Sequence, residues 1–184
     1  AASFPLISSS KFGIGLPPII PSICAGEGMV NSMKILVFSD SHGRLSLMLD
    51  AVEKEQPQRV FFLGDNYRDG QALADVYPDL PMDLVQGNCD FHAGPDELLV
   101  EAEGVRFFLT HGHRFHAKQG TDRLVEEGKR RGAAVVCFGH THQALSQPES
   151  GVWLLNPGTA GGVNNRSGYA VVTVRGGTFR VDLR

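Results

Sequence analysis

Apolar residues along this chain fall into short runs of four to six, each closed by a polar cluster and a glycine. Lys34 to Ser39 is the first such run, and its unbroken apolarity predicts a strand buried on both faces. Leu45, Met48, Leu49 and Val52 then recur at helical spacing, and Pro57 stands just past the expected end. Arg59 to Leu63 predicts a second strand, Gly70 to Val76 a second helix and Met82 to Gln86 a third strand, so the first half reads βαβαβ. Beyond it, Glu97 to Glu103 and Val105 to Thr110 predict two strands meeting at Gly104. A helix is expected over about 117 to 131 and a strand over Ala134 to Phe138. Val152 to Leu155, Tyr169 to Val174 and Thr178 to Leu183 close the chain as strands, with Gly176-Gly177 as a hairpin turn.

Residues 1 to 32 lack either period and carry four prolines and six serines. They are expected to be an arm appended upstream of a start at Met29 or Met33, with the folded domain over 33 to 184. A targeting peptide, or an arm packing on a neighbour, is the alternative. A secretory signal fits poorly, because Pro17, Pro18 and Pro21 interrupt the apolar stretch and no basic cluster precedes it.

Length and composition narrow the class. A chain of 184 residues with 42% hydrophobic and 20% charged residues is ordinary for one globular α/β domain. The net charge of -3 does not favour a nucleic-acid surface, so nucleic acid is expected only as a small phosphodiester substrate. Three cysteines without CxxC spacing suit a reducing, cytoplasmic compartment. No stretch approaches the roughly 20 apolar residues that span a bilayer.

The chemistry gathers where the strands end. In order these ends read Asp40-Ser41-His42, Gly64-Asp65-Asn66, Gly87-Asn88-Cys89-Asp90, His111-Gly112-His113 and Gly139-His140-Thr141-His142. Open α/β sheets bind ligands outside the carboxyl ends of their strands, so these five clusters can converge. A single Asp in such a place is more often a helix cap or turn residue. All seven histidines, however, lie in or close to these clusters: His42, His92, His111, His113, His116, His140 and His142. Imidazole with carboxylate suits Mn, Fe, Co, Ni or Zn, and the lack of a thiolate cluster speaks against a structural zinc.

The succession DxH, GD, GN, H and GHxH resembles the calcineurin-like metallophosphoesterases over Met33 to Arg184. The GNCD and HGH blocks and Asn156-Pro157-Gly158 are most similar to the small YfcE-like phosphodiesterases. The resemblance implies a fold of two packed mixed β-sheets flanked by helices, an αββα sandwich. It implies one divalent ion on Asp40, His42, Asp65 and His142 and a second on Asp65, Asn88, His111 and His140, with Asp65 as the bridge. Manganese is the expected metal, with Ni, Fe, Co, Zn or Mg as alternatives. The expected reaction is hydrolysis of a phosphoester, a phosphodiester first, by in-line attack of a hydroxide shared by the ions. Two such ions outweigh the two aspartates, so the loaded cleft attracts phosphate.

Cys89 stands where many relatives carry a histidine able to protonate the leaving oxygen, and a thiol of ordinary pKa is a weak substitute. His92, His113 and water are the other candidates for that acid. Asp90 is expected to orient a metal-bound histidine or Cys89, or to stabilise a turn. Asn156-Pro157-Gly158 is expected to close the site, and Arg166 is a loop arginine within possible reach of phosphate. Cys137 and Trp153 read as packing residues. Two other functions stay open: a phosphomonoesterase or protein phosphatase, and a non-catalytic scaffold, since the fold is similar to that of the small retromer subunit. A homo-oligomer is also open.

Overall fold

In a computed structural model, residues 32–91, 93–162 and 167–184 are described; residues 1–31 of the expected arm, His92 and Arg166 lie outside them. Ten strands form two five-stranded sheets. The first sheet joins β1 (Met33–Phe38), β2 (Arg59–Phe62), β3 (Met82–Leu84), β9 (Ala170–Arg175) and β10 (Thr178–Leu183) in the order β10-β9-β1-β2-β3. The second joins β4 (Glu97–Ala102), β5 (Val105–Thr110), β6 (Val135–Cys137), β7 (Leu145–Glu149) and β8 (Val152–Asn156) in the order β4-β5-β6-β8-β7. Within each sheet the central pairs are parallel, β1 with β2 and β2 with β3, β5 with β6 and β6 with β8, and antiparallel strands complete it. Helices α1 (Leu45–Glu55) and α2 (Tyr67–Val76) cover the first sheet, and α3 (Asp122–Arg130) covers the second.

This layering explains the continuous apolar runs. Ile35 and Val37 of β1 face the second sheet, where they meet Phe107, Leu109, Val135 and Cys137. Leu36 and Phe38 point the other way, onto Met48 and Val52 of α1. A strand covered on both faces has no polar alternation to show. Cys137 packs in the core as expected, and Trp153 is partly buried against it.

Three expectations shift. The second helix starts at Tyr67 rather than Gly70, because its first N–H groups are capped by Asp90, a residue distant in sequence. The helix expected over about 117 to 131 is confined to Asp122–Arg130, after a 3-10 turn at His113–Phe115. Gly120, at φ +153°, adopts a backbone that L side chains rarely take and separates the two. Strand β7 was not expected, since Pro148 lies within it. Its place at the sheet edge, paired on one side with β8, lets a residue without an N–H be accommodated.

Because the central strands of each sheet are parallel, their carboxyl ends open onto one edge. Contacts that join these ends across the sheets include His111 Nδ1 donating to Leu63 O (2.7 Å) and His140 N–H donating to Asp40 Oδ2 (3.1 Å).

Candidate metal centre

Asp40 and His42 follow β1, Asp65 follows β2, His111 follows β5, and His140 and His142 follow β6. Asp40, Asp65 and His111 are buried; His140 and His142 are half-buried and His42 is exposed at the mouth. One ligand atom from each of Asp40, His42, Asp65 and His142 falls within 4.8 Å of the others, and Asp65, His111 and His140 form a second such group. Asp65 belongs to both.

The backbone bends hard to reach this arrangement. Ten non-glycine residues among those described have positive φ, and five are Asp40, His42, Asp65, His140 and His142. Each such residue costs on the order of 1 kcal/mol or more, so the surrounding hydrogen bonds must impose the shape.

Those bonds can be traced. Asp90 takes N–H groups from Asn66 and Tyr67 on one oxygen and from Asp65 and Gly87 on the other, at 2.8–3.0 Å. Both oxygens thus hold backbone rather than a histidine or Cys89, and Asp90 is a positioning residue. Asp69 Oδ2 accepts from Ser41 Oγ, Gly43 N and Asn66 Nδ2, tying the Asp40 loop to α2. Thr159 Oγ1 and Gly161 N donate to Asp40 O, and Asn156 Nδ2 donates to Gly139 O and Thr141 Oγ1. The Asn156-Pro157-Gly158 turn therefore anchors the loop that carries His140 and His142, while the irregular stretch after it clasps Asp40.

Two motif glycines are demanded by close approach. A Cβ on Gly87 would lie 2.2 Å from Asp65 Oδ1, and one on Gly139 would lie 1.8 Å from Ser39 Oγ and 2.8 Å from Asp40 Oδ2. Glycine in the GN and GH blocks is thus the space into which the two carboxylates fit.

The donor atoms themselves fit divalent cations. His111 gives its Nδ1–H to Leu63 O, so in the neutral ring it is Nε2 that carries the lone pair. That Nε2 lies 3.4 Å from Asp65 Oδ1 and 4.0 Å from Asp40 Oδ1. His111 Nε2 and Asp40 Oδ1 are both buried without a hydrogen-bond partner. His142 Nε2 comes within 3.0 Å of Asp40 Oδ1 without hydrogen-bond alignment, and 3.5 Å from His42 Nε2. Buried acceptors facing one another are costly, and ligands bound at about 2.0–2.2 Å to one ion sit at about these separations. A cation removes the cost.

Electrostatics favour the binding form of two ligands, Asp65 and His140. Burial works against ionising Asp65, but the His111 ring and the N–H and S–H of Cys89 outweigh it, so its carboxyl lies below the usual range. Burial, with His111 and Lys118, pulls His140 down to about 4, which leaves a free lone pair at neutral pH.

The remaining expected residues line the rim. Asn88 is exposed, its amide 3.4 Å from Cys89 Sγ. Cys89 donates its N–H to Asp65 Oδ1 (3.0 Å) and its thiol to Oδ2 (3.4 Å), while burial and the Asp65 charge push its pKa up. His113 stays outside both ligand groups, its ring centroid 5.5 Å from that of His111. Its Nδ1 is buried and unpartnered, and burial with the neighbouring His111 lowers its pKa. Ser39, Ser41, Asp69 and Thr159 went unread in the sequence; only Asp69, an acid in the first turn of a helix three residues after Asn66, carried any local signal.

The described helices include none long and apolar enough to cross a membrane. Residues 33–177 match the calcineurin-like phosphoesterase superfamily domain. The chain is 36% identical over 150 residues to a Bacillus subtilis (strain 168) protein named probable metallophosphoesterase YsnB, covering 77% of this chain and 85% of that one. It is 27% identical over 154 residues to phosphodiesterase YfcE of Escherichia coli (strain K12), covering 69% and 79%. Among solved structures, a conserved predicted phosphoesterase of Streptococcus pneumoniae TIGR4 superposes with a TM-score of 0.70 at 29% identity, covering 83% and 89%. Vacuolar Protein Sorting 29 of Cryptosporidium parvum shares the fold, with a TM-score of 0.70 at 16% identity over 83% and 97%.

Proposed function

Since the chain belongs to the calcineurin-like phosphoesterase superfamily, we propose that it is a two-metal phosphodiesterase, with manganese as the working ion. The observation that carries this reading is the pair of ligand groups sharing Asp65, with His111 Nε2 and Asp40 Oδ1 buried and unpaired between them. Asp40, His42, Asp65 and His142 would hold one ion, and Asp65, Asn88, His111 and His140 the other. Divalent ions in such a pair supply a water of lowered pKa and stabilise charge on the phosphoryl oxygens.

The protein's own part is placement. Asp65 would serve both ions, while the Cys89 N–H and thiol hold its carboxylate from the rim. Asp90, Asp69 and Asn156 hold the three ligand loops, and neutral His140 keeps its lone pair available. Among the described residues no strong acid stands ready for the leaving oxygen: the Cys89 thiol is pushed up, and His113 is pulled towards its neutral form. Turnover should therefore favour esters with good leaving groups, aryl over alkyl.

A protein-binding scaffold has no need of five strained ligand residues or of buried lone pairs facing each other. Those costs favour the enzyme. The test is hydrolysis of bis(p-nitrophenyl) phosphate beside p-nitrophenyl phosphate, by chelated protein resupplied in turn with Mn, Ni, Mg and Zn. Diester turnover restored by Mn is expected. Dominant monoester turnover would make the protein a phosphatase, and metal binding without turnover of either would return the scaffold.

A further inference from the structure

The turn after β3 holds an aromatic ring out in solvent. Phe91 is 91% exposed, and it is the one aromatic among the large exposed apolar residues of the described chain. A lone exposed apolar side chain needs no explanation by itself. This one lines an open pocket of about 460 Å³, within the usual size of small-molecule sites, together with Asn66, Tyr67, Arg68, Gln71 and Cys89. Cys89 is the residue whose N–H and thiol meet the Asp65 carboxylate, so the pocket opens directly beside the shared metal ligand.

The other walls are cationic and polar. Arg68 is exposed and makes no ion pair among the described residues. Tyr67 is fixed in place: a Cβ on Gly94 would fall 2.5 Å from its ring, so ring and loop are in close contact. Asp90, the one acid in the lining, has both oxygens occupied by backbone N–H groups. By contrast, a concavity of about 580 Å³ between Gln56–Gln58 and Tyr77–Pro81 lies beside the amino ends of β1 and β2, away from the metal ligands.

We propose that the pocket beside Cys89 receives a flat aromatic ring carried by the phosphoester, the base of a nucleotide, with Phe91 as its stacking platform and Arg68 as the cation at its edge. The proposal rests on the phosphoesterase reading and names the substrate class of that site. Bases stack on aromatic side chains with little regard to sequence, and a guanidinium at the edge donates to the ring nitrogens and carbonyl oxygens that a base presents there. A base seated there leaves its phosphate beside Asp65, where the ions would lie.

Isothermal titration of the Mn-loaded full chain with adenosine 5′-monophosphate and with ribose 5-phosphate isolates the ring, since the two probes share sugar and phosphate. The expected result is roughly tenfold tighter binding of the adenosine nucleotide. Phe91→Ala should remove most of that preference and Phe91→Trp should keep it; an exposed position makes misfolding an unconvincing cause, and thermal unfolding of each variant checks it. Equal affinities for the two probes, a preference that survives Phe91→Ala, or no measurable nucleotide binding would overturn the proposal. Nucleotide preference in a protein that hydrolyses no diester would refute the phosphodiesterase reading alone, whereas diester hydrolysis without the preference would refute the ring pocket alone.

Discussion

Gly139→Ala adds one methyl group at the place where the two sheets bring their ligand loops together. Its Cβ would lie 1.8 Å from Ser39 Oγ, about 1.5 Å inside ordinary contact. Ser39 can rotate away only by giving up its hydrogen bond to Asp40 Oδ2. The methyl would still lie 2.8 Å from that carboxylate oxygen, which also receives the His140 N–H. Asp40 must therefore move by roughly half an ångström or more relative to His140 and His142. Overpacking of this kind costs about 1–3 kcal/mol. A displacement approaching 1 Å lowers a positioned reaction by on the order of a hundredfold. Mn affinity by isothermal titration and the rate on an aryl diester should both fall in Gly139→Ala. The double variant Ser39→Gly with Gly139→Ala, which removes the harder of the two clashes, should recover part of the affinity. Wild-type affinity and rate in Gly139→Ala would refute the claim that this glycine makes room for Asp40.

Asp90→Ala strips the acceptor from four backbone N–H groups and should destabilise the protein by about 3 kcal/mol or more in urea unfolding, with Asp90→Asn intermediate. Saturating Mn at about 100 times its dissociation constant should add about 2.7 kcal/mol of stability, read as a rise of several degrees in the melting temperature, and His111→Ala should blunt it. His140 titrates near 4 in the folded chelated protein against an unfolded value of about 6.5, so the unfolded chain takes up the proton first as pH falls. Stability of the chelated protein should decline between about pH 6.5 and pH 4, and less steeply in His140→Gln; urea midpoints independent of pH across that window would contradict the assignment.

The parts of this molecule that could be read along the chain are those whose signal is local. β1 and β2 announce themselves as apolar runs because both of their faces are covered. The ligands Asp40, His42, Asp65, His111, His140 and His142 stand out because each follows a strand within a residue or a few, and parallel strands carry them to one edge. What stayed hidden depends on partners distant in sequence. The start of α2 is set by Asp90, 23 residues beyond Tyr67. Asp69 and Thr159 acquire their roles only when the fold brings them onto the loop that carries Asp40 and Ser41. β7 was masked by Pro148, whose missing N–H is tolerated at a sheet edge but argues against a strand in isolation. For Asp90 the sequence left two roles open, orienting a ligand side chain or stabilising a turn; its oxygens accept four backbone N–H groups.

The most direct test of the two-ion account is the initial rate on bis(p-nitrophenyl) phosphate as Mn is added stepwise to chelated protein, measured side by side for the wild type and Asp65→Asn. The account predicts a rate that climbs and levels off at two equivalents of Mn per chain in the wild type, and stays at baseline in Asp65→Asn. Full turnover in chelated protein, or in Asp65→Asn at any Mn level, would contradict it.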